Sequence, residues 1–349
     1  MHPISSTVAN ALLLTAWLVC AQVAAAPASG PSNPLSDDLA AQREAFVGLS
    51  QTIATSFTDV ESVVVVRSGH VIFEYYKSGS NQDTLRNTES VTKSVLSLLV
   101  GIAIDQRAIA SLDQPIAALL PTGTTAAIGA NRQPVTIKHL LTMKAGFATS
   151  GRVSRADSDN PQYLANRSVK AQPGAEFLYD NLATNLLAIV LENATGQGAA
   201  EFARRRLFGP LGIDSLDWQK GPNGHNYGSS GLSLRTRDMA KLGQLMLQEG
   251  MWNEQQLISK SYAGEAVQRQ TSAGEPPYGY MWWLPPSSTA RQTFFASGFG
   301  GQLIWVHTPL DLVVATTATA TESSQARGQA MNLIRENIFR LITKPGPAK

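Results

Sequence analysis

The order of apolar patterns along the chain predicts an α+β fold: an antiparallel sheet flanked by N- and C-terminal helices, with an inserted, mainly helical domain. Three observations carry this. Two β-branched and aromatic runs sit close together early, at Ser62–Val66 and Val71–Tyr76. Three more sit late, at Thr293–Ser297, Gln302–His307 and Leu312–Thr317. Between them lies a long block of helical periodicity broken by Gly and Pro. Strands segregated from helices favour α+β over alternating βαβ units.

The elements follow in order. Ala11–Val19 is an apolar run too short to span a bilayer, and Ala21–Ala26 is rich in small residues. Together they predict a signal peptide over 1–25, cut near Ala25, and an exported protein, periplasmic or secreted. The only cysteine, Cys20, lies in that segment. The mature chain is then expected to have no disulfide, Cys nucleophile or Cys metal site, and no stable membrane insertion. A linker is expected over 26–36, where Pro, Ser and Gly accumulate. Leu39, Phe46, Leu49 and Ile53 recur at helical spacing within Asp37–Phe57. Arg67-Ser68-Gly69-His70 joins the first two strand-like runs as a hairpin turn.

A helix is predicted from Asn87 or Thr88 to about Ile104, either residue being a suitable N-cap. Further helical runs are Ile137–Met143, Asn181–Glu192, Ala199–Leu207 and Thr236–Leu247, and Ser323–Ile342 closes the chain. The expected division is a sheet-plus-helices domain over 37–84 and 291–349, and a mainly helical domain over 85–290. Of the 349 residues 43% are hydrophobic and 15% charged, an ordinary globular balance. The net charge of +2 offers no basic patch, so no nucleic-acid partner is expected.

Three segments carry candidate chemistry. In Ser90-Val91-Thr92-Lys93, positions three apart share a helix face. Near a helix start, the Ser90 hydroxyl meets free backbone N–H groups and the positive end of the helix dipole. A serine hydroxyl needs a base to become a nucleophile. Lys93 serves if burial or nearby cations lower its pKa. The same pair also fits a capping serine and a solvated lysine. In Tyr179-Asp180-Asn181, a phenol can relay a proton and an amide can orient a lysine or a carbonyl; taken alone, the segment fits a packed Tyr with Asn as a cap better. Ala296-Ser297-Gly298-Phe299-Gly300-Gly301-Gln302 ends a strand in a Gly-rich turn. Such turns aim N–H groups at an oxyanion, and they also make plain hairpins. The aromatic run Tyr278–Trp283 fits either a pocket wall or a core strand edge. The five histidines lack metal-ligand spacing, and no metal or other cofactor is expected.

In chain order these pieces resemble the penicillin-recognising serine hydrolases. That family includes class C β-lactamases, D-alanyl-D-alanine carboxypeptidases, short-chain esterases and 6-aminohexanoate-dimer hydrolases. Leu112–Pro115, Thr136–Gly146, Pro173-Gly174, Thr195-Gly196, Leu211–Ile213 and Gly231–Met239 fit the same pattern. The resemblance implies a β-lactamase/transpeptidase-like fold, with the site between its two parts. It implies Ser90 as the acylated nucleophile, Lys93 as its base and Tyr179 as the proton relay. It further implies an oxyanion hole formed by the N–H groups of Ser90 and Phe299, and substrate binding by Asn181, Ser297 and Gly298. The expected activity is hydrolysis of small ester or amide substrates. The chain departs from the β-lactamases at Ala296, where those enzymes carry Lys or His to hold a substrate carboxylate. That favours short-chain esters or nylon-type amides over β-lactams. A β-lactamase or carboxypeptidase, and a catalytically silent binding protein, remain the alternatives.

Overall fold

The computed structural model describes residues 34–124, 134–286, 291–320 and 327–343. The expected signal peptide, most of the linker and the first residues of the expected closing helix lie outside them. The chain opens with helices α1 (Pro34–Ala45) and α2 (Leu49–Ser56). One helix was expected here. Gly48, at φ +87°, breaks it, a left-handed conformation that costs glycine little. Residues 34–36, expected in the linker, already belong to α1.

Strands β1 (Val60–Arg67) and β2 (His70–Tyr76) form the expected hairpin. Arg67 pairs with His70, and Ser68 and Gly69 both have positive φ, the two-residue turn that matches strand twist. Then come β3 (Arg86–Asn87), α3 (Val91–Asp105), α4 (Ile137–Leu141), α5 (Pro161–Ala165), α6 (Asn181–Thr195) and α7 (Ala199–Ala203). After them lie β4 (Asp217–Trp218), β5 (Leu232–Leu234), α8 (Thr236–Leu247), β6 (Met251–Trp252), β7 (Gln255–Gln256) and α9 (Lys260–Ala266). The chain closes with β8 (Thr293–Gly298), β9 (Gln302–His307), β10 (Leu312–Ala318), α10 (Ala330–Asn332), a π-helical stretch Leu333–Ile338, and α11 (Phe339–Thr343). Residues 327–329 form a turn before α10, so the closing helix starts later than its periodicity suggested.

The main sheet is antiparallel, in the order β2-β1-β10-β9-β8. The early hairpin and the late strands therefore share one sheet, as expected. A small sheet, β3-β5-β4, lies within the helical block; its strands are too short to show periodicity.

Both faces of the main sheet are covered, which explains its unbroken apolar runs. Val64, Val66, Phe294, Ala296, Ile304 and Val306 enter one core with α3, α6 and α8. Val63, Val65, Phe295, Leu303 and Trp305 enter the other, with α2 and the closing helices. This strict alternation fixes which side chains at the end of β8 turn toward α3 and which turn away.

Candidate active site

Ser90 is the N-cap of α3, and its side chain makes no capping hydrogen bond. The helix begins at Val91, later than predicted, because Glu89 takes φ +48° and turns the chain sharply before it. The Ser90 hydroxyl is instead bonded to Lys93: Nζ donates to Oγ at 2.9 Å. Lys93 is fully enclosed, 1% exposed, so the solvated-lysine reading does not hold. Its Nζ also donates to the Ser229 carbonyl at 2.8 Å and lies 4.9 Å from the centre of the Tyr179 ring. Burial pulls the Lys93 pKa down to about 7, against the opposing pull of the Glu89 and Asp180 charges. A lysine at that value is substantially neutral near pH 7 and able to accept a proton.

Tyr179 is packed between Tyr278 and Trp283, with ring centres 6.4 and 5.6 Å away. Burial raises its pKa, and the Ser90 hydroxyl pulls it the other way. Asn181, the first residue of α6, lines the same cleft. The hydrogen bonds of Lys93 go to Ser90 and Ser229 rather than to Asn181.

Asp180, not Asn181, caps α6. Its carboxylate accepts from the N–H groups of Leu182 and Ala183 at 2.9 and 3.1 Å. It also pairs with buried Arg167 at 2.8 Å. Arg167 is held in turn by the Ala148 carbonyl at 2.9 Å and stacks over Phe147. This carboxylate thus anchors the segment that carries Tyr179.

Ser297 and Gly298 end β8 beside the cleft, and Phe299 follows, its side chain exposed. Gly298 packs against the turn before Ser90. A Cβ there would lie 2.4 Å from the Thr88 carbonyl oxygen and 2.9 Å from the Glu89 Cβ. That close approach brings β8 alongside the start of α3. Ala296 is fully buried in the core on the α3 side.

Ser90, Tyr179, Asn181, Ser297, Gly298 and Phe299 all border one cleft of about 740 Å³, with Lys93 beneath it. The aromatic run divides: Trp283 lines the cleft, whereas Tyr278, Tyr280 and Trp282 are buried in the core. Among the described residues, no group of His, Cys, Asp or Glu side chains is placed to hold a metal ion.

Three contributors, Asn185, Ser229 and Arg327, were missed in the sequence. Asn185, one turn beyond Asn181, accepts from the Ser229 N–H at 3.0 Å and donates to the Ser158 carbonyl at 2.8 Å. Its four-residue spacing from Asn181 was the available signal. Arg327 lines the cleft from the turn before α10, and nothing local in the sequence marked it.

Comparison with known proteins identifies the family and the fold. The chain is 24% identical over 297 residues to the 6-aminohexanoate-dimer hydrolase of Paenarthrobacter ureafaciens, covering 76% of this chain and 74% of that one. It is 27% identical over 176 residues to esterase EstB of Burkholderia gladioli, covering 43% of this chain and 44% of that one. Among solved structures, the beta-lactamase/D-alanine carboxypeptidase of Yersinia pestis superposes with a TM-score of 0.66 at 18% identity, over 85% of this chain and 99% of that one. A family model, Beta-lactamase, matches residues 38–336, and the chain belongs to that family of serine hydrolases.

Proposed function

We propose that this protein hydrolyses ester or amide bonds of small substrates through an acyl-enzyme on Ser90. The observation that carries the reading is the 2.9 Å contact between the Ser90 hydroxyl and a buried lysine whose pKa is drawn to about 7. Ser90 Oγ attacks the carbonyl carbon while its proton passes to Lys93 Nζ. The negative charge on the carbonyl oxygen is met by the N–H groups of Ser90 and Phe299. The C–O or C–N bond then breaks, and Tyr179 relays the proton to the leaving alcohol or amine. Water attacks the acyl-enzyme by the reverse proton route, releasing the acid and restoring Ser90.

The methyl group of Ala296 argues for substrates with no carboxylate next to the scissile bond, as do the names of two relatives, a dimer hydrolase and an esterase. We further propose export, on the composition of 1–25; N-terminal sequencing from the native host should begin near Ala25–Ala28. A fluorophosphonate probe should label wild type and not Ser90→Ala. A silent binding protein would leave both unlabelled. Across p-nitrophenyl esters, linear amide dimers, D-Ala-D-Ala peptides and nitrocefin, neutral esters or linear amides should give the highest kcat/KM. Nitrocefin hydrolysis faster than ester hydrolysis would overturn the substrate class.

A further inference from the structure

The cleft is not free of positive charge at its mouth. Arg327 reaches it from the turn before α10, with its guanidinium 5.1 Å from the Phe295 ring centre and 5.6 Å from that of Trp283. Two aromatic faces hold a planar cation in place at little further entropic cost. Among the described residues no carboxylate pairs with it, and partial burial draws its pKa down. Glu89, the acid on the cleft wall, bonds instead to the Asn87 side-chain amide at 2.7 Å. An arginine fork with its donors open to an active-site cleft is suited to a carboxylate.

Its position decides which carboxylate. Side chains alternate across a strand, so Phe295 and Ala296 project from opposite faces of β8. Their opposite cores show it: Ala296 packs with α3, and Phe295 packs with the closing helices. Arg327 lies over Phe295 and so does not stand where a lysine at position 296 would stand. We infer that Arg327 is an anion subsite for a carboxylate at the far end of a linear acyl chain, several bonds from the scissile carbonyl. This deepens the hydrolase reading above and rests on it. The favoured substrates are then linear esters or amides of ω-carboxy acids, with the chain lying along Trp283 and Tyr179.

The test compares p-nitrophenyl monoesters of adipate, pimelate and suberate with neutral p-nitrophenyl esters of the same chain length. Wild type should favour the carboxylated ester in kcat/KM by roughly ten- to hundredfold at one length or more, the worth of one charge-assisted hydrogen bond. The ratio should fall toward one in Arg327→Met, which keeps a chain over the rings, and recover in part in Arg327→Lys. A wild-type ratio at or below one at every length, or a ratio unchanged in Arg327→Met, overturns the inference. Calorimetric titration with adipate reads the subsite without turnover. Binding to wild type that is lost in Arg327→Met supports the subsite even if no ester is cleaved, in which case only the hydrolase reading fails. No binding, or equal binding to both proteins, counts against the subsite.

Discussion

Asn185 and Ser229 are joined by a hydrogen bond of 3.0 Å from the Ser229 N–H to the Asn185 side-chain oxygen. The Ser229 carbonyl in turn accepts from Lys93. Asn185 is buried and tied at its other end to the Ser158 carbonyl, so it fixes the backbone that holds the lysine. We therefore assign it a positioning role.

Asn185→Leu should expose that role. It leaves two backbone groups without their partner, at about 1–3 kcal/mol each if they stay buried. Displacement of the Ser229 carbonyl should lower kcat by roughly ten- to hundredfold, with a smaller change in KM. The carbonyl stabilises the protonated amine, so its retreat should also move the acid limb of the pH–rate profile to lower pH. A lowered melting temperature with an unmoved acid limb would mean that Asn185 is merely structural.

Lys93 makes a prediction in two parts. Proton acceptance requires the neutral amine, so kcat/KM should rise with pH through about 7. For stability, the folded pKa of about 7 lies below the ordinary lysine value of about 10.4. Between these values the unfolded chain binds a proton that the folded chain does not, so stability rises with pH across that window. Below pH 7 the folded protein carries the full burden of a buried ammonium. Lys93→Met should therefore raise the melting temperature most below pH 7, with a gain that shrinks toward pH 10, while abolishing turnover. An equal or larger gain at pH 10 than at pH 6 would contradict the assignment.

Why some of this was legible in sequence and some was not has a physical basis. The five strands of the main sheet were visible because both faces are buried, leaving dense β-branched and aromatic runs at Val63–Val66 and Leu312–Ala315. Ser90 and Lys93 were visible because a helix converts a spacing of three into a shared face. Arg327 and Ser229 were not, since each reaches the cleft through long-range packing of irregular chain, which leaves no period to read. The anchoring role of Asp180 was not legible for a related reason. Its partner Arg167 lies thirteen residues away across a turn, and the distance between them is set by tertiary packing.

The Asp180–Arg167 pair should be a stability determinant that also serves the site. Breaking one side of a buried pair costs about 3–5 kcal/mol, because the other charge is left unmatched. Asp180→Ala also removes the cap of α6, worth about another 1 kcal/mol. Asp180→Asn keeps a capping oxygen and loses the charge. Chemical denaturation should rank the proteins as wild type, then Asp180→Asn, then Asp180→Ala. Turnover should fall in the same order, because Tyr179 and Asn181 flank the anchor. Equal stability for all three would show that Arg167 finds its compensation elsewhere.

The last prediction concerns Gly298, where fold and chemistry meet most closely. A methyl group there would sit 2.4 Å from the Thr88 carbonyl oxygen, well inside contact distance. The atom it meets is backbone and cannot swing aside as a flexible side chain would. Either β8 or the turn carrying Glu89 and Ser90 must move. Overpacking of this kind costs about 1–3 kcal/mol, which a protein of ordinary stability survives. Catalysis tolerates less, because a shift of about 1 Å between nucleophile and oxyanion donors can cost roughly a hundredfold. Gly298→Ala should therefore fold and lose about two decades in kcat/KM. Fluorophosphonate labelling of Ser90 should slow in parallel, since it uses the same nucleophile and the same N–H donors. A stable Gly298→Ala protein with labelling and turnover near wild type would show that β8 does not bound the reacting group.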